Sequence, residues 1–197
     1  MTMATDPKTA MADGVVTDHG DGRYTLRYER LLNHPIERVW AALTDPEELI
    51  GWLAEAELDL VEGGSISLTW QNVISSEQVE QYDIRGFEDK DLEERTPVTG
   101  TITRVDRPHL LEYETDSFGL MRWELREQDG GCLLTFSSTL DAPEEMLTQM
   151  LAGWHQHLDG LNEALAGGPT DWARPGPAQS MDRWAELRDR YTDKLGG

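Results

Sequence analysis

A chain of 197 residues is long enough to bury one core without disulfide or metal staples, so a single domain with appendages is the default. Its 38 acidic against 17 basic residues give a formal net charge of -21, a field that repels phosphate backbones and anionic lipid surfaces and so excludes nucleic acid and membranes as expected partners. The lone Cys132 excludes an internal disulfide framework, no stretch approaches a membrane span in length and the N-terminus has no basic-then-apolar leader pattern, so a reduced cytoplasmic setting is expected.

Residues 1–22 are small, polar and without pattern, and read as a flexible tail, with order beginning at Tyr24. From Arg23 to Leu32 the chain alternates, Leu26 and Tyr28 on one face and Arg27 and Glu29 on the other, the period of a half-buried strand. Ile36, Val39, Trp40 and Leu43 then recur at helical spacing behind Pro35, and Asp45-Pro46 with Glu48 restarts a second short helix carrying Leu49, Trp52 and Leu53. AELDLV and SISLTWQ read as a strand pair joined at Gly63-Gly64, with Ile66, Leu68 and Trp70 on one face. The charged segment from Ser75 to Pro97 reads as an extended loop, or a loop with a ragged strand pair around Val79 to Ile84.

Four consecutive strands follow, VTGTITRVD, LLEYETD, LMRWELRE and CLLTFSSTL, separated by turn-forming Asp, Pro and Gly. Met121, Trp123 and Leu125 share one face of the third, and Leu134, Phe136 and Ser138 one face of the fourth. A long helix is predicted to begin at Pro143 and run to Gly167-Gly168, about five turns, with Leu147, Met150, Trp154, Leu158, Leu161 and Leu165 in one stripe. Residues 168–197 divide into a Pro/Gly-rich linker and a final amphipathic helix marked by Met181, Trp184, Leu187, Tyr191 and Leu195. The fold class is therefore α+β, a curved antiparallel sheet around a long helix, over residues 23–167.

This order of elements, with ERVWAALTDPEELIGWL, TGTITRVDRPHLLEYETD, MRWELREQDGGCLLTFSSTL and GWHQHLDGLNEAL, resembles the Activator of Hsp90 ATPase homolog 1-like family of the SRPBCC or START-like superfamily, whose fold is the Bet v 1-like helix grip. The resemblance covers roughly Tyr24 to Ala166. It implies a cavity between helix and sheet that holds hydrophobic or amphipathic small molecules in many relatives, with catalysis in some.

The inward faces nominate Trp52, Trp70, Tyr113, Trp123, Phe136, Met150, Trp154 and His157 as ligand-lining residues, with core packing the competing reading of each. His155 and His157 are roughly 200° apart on a helix, so one metal cannot take both, and no metal or other cofactor is expected. Of the two, His157 lies nearer the apolar stripe. Arg30, Asp83 and Arg85 are candidates for charge at a cavity mouth, with a solvated role as the alternative. Cys132 lacks a neighbour to activate it, and no GxSxG elbow appears, so covalent catalysis has no support. Three readings stay open: a non-catalytic module binding a hydrophobic small molecule; a cyclase-, aromatase- or hydratase-like enzyme using His157 and Tyr113 as acid/base groups; and an interaction protein engaging a chaperone or pairing as a homodimer.

Overall fold

The computed structural model describes residues 12–71, 74–85, 96–167 and 180–196. Its strands are β1 (Val15–Asp18), β2 (Arg23–Leu32), β3 (Glu55–Leu58), β4 (Ser65–Thr69), β5 (Val98–Asp106), β6 (Leu110–Thr115), β7 (Gly119–Gln128) and β8 (Gly131–Asp141). Its helices are α1 (Ile36–Thr44), α2 (Pro46–Leu49), α3 (Ser76–Tyr82), α4 (Leu147–Leu165) and α5 (Met181–Leu195). All eight strands join one antiparallel sheet in the order β1-β2-β8-β7-β6-β5-β4-β3. The helix-grip architecture anticipated from the sequence is present: α4 lies against the inner face of the sheet, and the main core is built between them.

Local chemistry explains the joints. Asp129 and Gly130, both at positive φ, close β7 onto β8 in a two-residue turn, leaving Gln128 opposite Gly131. Asp45 caps α2 by accepting from the Glu47 amide at 3.0 Å, with Pro46 in the first helical turn. A register shift between Ile102 and Arg104 bends β5 where it pairs with β6. Along β2, β7 and β8 every second residue is buried, the mark of a sheet with one dry face.

Three expectations need correction. Order begins before Tyr24: Val15–Asp18 adds an edge strand to β2, with Val16 opposite Leu26, because two β-branched residues meet the unpaired edge of a long strand. The supposed loop at Ser75 is a helix. Ser75 accepts from the Gln78 amide at 3.2 Å while the Gln78 side chain accepts from the Ser75 amide at 3.0 Å, and this reciprocal capping box starts α3 although its surface is charged. The long helix proper begins at Leu147, four residues beyond Pro143, after a 3-10 turn over Glu144–Met146. The linker expected after Gly167 (168–179) and residues 86–95 of the charged segment lie outside the described residues.

Helix α5 is capped by Ser180, whose hydroxyl accepts from the Arg183 amide at 3.1 Å. Trp184, Leu187 and Tyr191 are its buried stripe. Trp184 and Leu187 pack with Ala152 of α4 and with Ile84, Val79 and Tyr82 at the end of α3, forming a second, smaller core.

Candidate functional site

Between α4 and the sheet lies a continuous aromatic cluster. Trp123 of β7 stacks on Phe136 of β8 at 4.1 Å, as cross-strand partners in the register predict, and Trp154 of α4 covers Phe136 at 4.6 Å. Trp52, in the turn after α2, meets Trp123 edge-on at 5.9 Å and anchors its indole N–H on the Ala42 carbonyl at 2.9 Å. Outward from Trp154 the rings continue through Phe118 at 5.6 Å and Trp70 at 5.2 Å beyond it, and return through His157.

Trp52, Tyr113, Trp123, Phe136 and Trp154 are fully buried, whereas Trp70, Phe118 and Met150 are half-buried. The cluster therefore has one wet rim, where the end of β4, the β6–β7 turn and the first half of α4 meet. Phe118 is fixed there by two side chains: Thr115 accepts from its amide at 3.0 Å and Ser138 donates to its carbonyl at 2.8 Å. Gly119 completes the turn at φ 62, and any Cβ on it would run into the Thr139 carbonyl.

His157 is held from both sides. Its Nδ1 lies 3.2 Å from the Trp52 carbonyl, which can only accept, so Nδ1 carries the proton; Nε2 then accepts from the Trp70 indole N–H at 3.2 Å. Burial lowers its pKa to about 4. The Tyr113 hydroxyl accepts from Trp123 Nε1 at 3.2 Å, and burial pushes its pKa well above the ordinary phenol value. His157 and Tyr113 thus belong to one aromatic layer but have separate hydrogen-bond partners. A general base needs a free lone pair near its substrate proton, and the Nε2 lone pair is engaged by Trp70.

His155 faces the other way, as the helical angle required. Its Nδ1 is 2.7 Å from the Tyr191 hydroxyl of α5, which also accepts from the Gly14 amide at 2.8 Å, and its Nε2 is 3.6 Å from Asp159 Oδ1. Burial, with Arg30 and Arg183 nearby, lowers the His155 pKa to about 3. Arg30, one of the expected mouth charges, is instead buried on the inner face of β2, 5.4 Å above the Tyr28 ring. Asp83 and Arg85 are exposed at the end of α3, paired at 3.8 Å.

The structure thus brings the predicted Trp52, Trp70, Tyr113, Trp123, Phe136, Trp154 and His157 into one layer, with Met150 packed at its edge. Sequence reasoning missed Phe118, hidden in a turn, and the convergence of Tyr28, Arg30, His155, Asp159 and Tyr191 into one polar group. Part of that group was readable: extending the alternation of Leu26 and Tyr28 by one step places Arg30 indoors. Two depressions of about 440 Å³ each lie elsewhere, one lined by Arg27, Glu29, Glu124 and Arg126 and one at the Asp129-Gly130 turn, and none of the predicted residues lines either. Among the described residues no group of acidic, histidine or cysteine side chains could hold a metal ion, and no helix is long and apolar enough to cross a membrane.

Comparison with known proteins agrees with this architecture. A protein of Bordetella parapertussis solved by solution NMR is 26% identical, with a TM-score of 0.63 over 98% of this chain and 96% of that one. The crystal structure of CalU16 from Micromonospora echinospora is 19% identical, with a TM-score of 0.63 over 94% and 98% of the two chains. An AHSA1-like protein of Aeromonas hydrophila is 23% identical, with a TM-score of 0.56 over 73% of this chain and 92% of that one. No curated protein matches the chain. The profile of the family described as Activator of Hsp90 ATPase homolog 1-like protein matches residues 33–166, and the chain belongs to that family.

Proposed function

We propose that residues 23–167 form a non-catalytic binding module for a hydrophobic or amphipathic small molecule, working in a reducing cytoplasm, with the aromatic layer under α4 as its site. The observation that carries this reading is the wet rim: rings that are fully enclosed deep in the layer give way to Trp70, Phe118 and Met150, which are not. A site that admits an apolar ligand leaves part of its apolar wall reachable, and here the reachable part is a contiguous group of three side chains rather than a single one. In the unliganded state these side chains plug the entrance, and a ligand enters by displacing Trp70 from His157. The low basicity of His157, with a pKa of about 4, and the raised pKa of Tyr113 support binding rather than acid/base catalysis, since neither group titrates near neutral pH.

The test is a titration with the neutral apolar dye N-phenyl-1-naphthylamine, read by dye emission and tryptophan quenching. Saturable one-to-one binding by the wild type, tightened in Trp70→Ala because the plug is gone, is expected. Absence of saturable binding by both proteins would remove the proposal.

A further inference from the structure

Along β2 the inward positions are Leu26, Tyr28, Arg30 and Leu32, so a guanidinium stands in the dry face of the sheet with 2% of its surface exposed. Its Nη1 donates to the carbonyls of Ala12 at 2.6 Å and Glu29 at 2.9 Å. Nε and Nη2 are buried and have no hydrogen-bond partner among the described residues. Those two N–H groups lie side by side on one edge of the planar guanidinium, the fork that matches the two oxygens of a carboxylate. Among the described residues no carboxylate forms an ion pair with Arg30; Asp159, the carboxylate whose charge acts on it, is engaged through Oδ2 by Arg183 at 3.4 Å. Asp159 Oδ1 faces the His155 ring, which is neutral at physiological pH.

The fork is continuous with the aromatic layer. The Tyr28 ring lies beneath Arg30, Phe136 follows Tyr28 at 6.2 Å, and Trp154 covers Phe136 at 4.6 Å, so one run of packed rings joins the layer to Arg30. We propose that Arg30 seats the carboxylate of an amphipathic ligand whose apolar body lies along Tyr28, Phe136 and Trp154. This rests on the binding reading above and adds the head group. Asp159 is held by Arg183 rather than by Arg30, so the Arg30 guanidinium is a buried positive charge with no carboxylate of its own in a chain of net charge -21. A monoanion neutralises that charge, while a dianionic phosphate would bring surplus negative charge beside Asp159.

Dodecanoate and its methyl ester share a body and differ at the fork, so their affinities can be compared by native mass spectrometry and tryptophan quenching. The acid is expected to bind the wild type about ten-fold or more tightly than the ester, the range of a charge-assisted bidentate contact. In Arg30→Gln that preference is expected to vanish while ester binding persists. Equal binding of acid and ester by the wild type would overturn the head-group assignment, leaving a fork filled by water alone, and would leave the binding module standing. Binding of the neutral dye without either dodecyl compound would also overturn it. Failure of the dye as well would remove the binding module itself. Should Arg30→Gln fail to fold, the acid-to-ester ratio of the wild type remains decisive.

Discussion

His155 and His157 stand two residues apart on α4 and have opposite surroundings, the one among Tyr191, Asp159 and Arg30, the other between Trp52 and Trp70. Both are held neutral by burial, at pKa values of about 3 and about 4. These lie below the unfolded value of about 6.5, so the unfolded chain binds more protons as pH falls from 6.5 toward 4, and stability drops at up to about 1.4 kcal/mol per pH unit for each histidine. Above 6.5 the contribution is complete. Asp159, raised by burial, works in the opposite sense and offsets part of the loss. Urea midpoints are therefore expected to fall between pH 7 and pH 5 in the wild type, and less in His157→Gln; a midpoint that stayed level would contradict two rings held neutral by the fold. Tyr113→Phe isolates another buried polar contact. It strands the Trp123 indole N–H in the core and should cost about 1–2 kcal/mol in chemical denaturation without moving the fold. The divergence of the two histidines was legible, because it depends only on helical angle. Their partners were not, since Trp70 and Tyr191 lie 87 and 36 residues away.

Elements defined by a short-range period were the legible ones. β2, β7 and β8 alternate as read, and the stripe of α4 runs along its predicted face. Misreadings fell where a local signal was weak or hidden by composition: β1 is an edge strand of four residues, and the capping box of α3 sits in a charged run. Helix α3 also shows how little an element needs of its own. None of its residues is fully buried, and it is held through α5, with the Tyr82 hydroxyl donating to Asp182 at 2.7 Å, Arg188 reaching the Tyr82 carbonyl, and Val79 and Tyr82 packed beside Leu187. Leu187 is completely enclosed. Leu187→Ala should therefore cost about 2–5 kcal/mol and raise amide exchange in α3 as well as in α5. Faster exchange confined to α5 would show that α3 stands by itself.

At the scale of the whole molecule the charge of -21 is unevenly placed. The outer face of the sheet balances itself, with Arg122 held by Glu112 at 2.6 Å and by Glu124 at 2.9 Å, and Arg27 paired with Glu29 at 2.6 Å. The opposite edge, from α2 through β4, carries Glu47, Glu55, Glu57, Asp59 and Glu62 without a basic residue between Glu47 and Thr69. Exposed ion pairs contribute about 0–1 kcal/mol each, whereas repulsion along such an edge extends over a Debye length, about 30 Å at 0.01 M salt and about 8 Å at 0.15 M. Repulsion is therefore the larger electrostatic effect on stability. The thermal midpoint is expected to rise by several degrees between 0.01 M and 0.5 M sodium chloride, on a scale of about 2–4 °C per kcal/mol for a chain of this length. A midpoint that fell with salt would give the balance to the ion pairs of the outer face instead. Replacing Glu55 and Glu57 together by Gln, on the edge strand, should raise the low-salt midpoint and flatten its dependence on salt, because the substitution removes charge from the edge where no cation answers it.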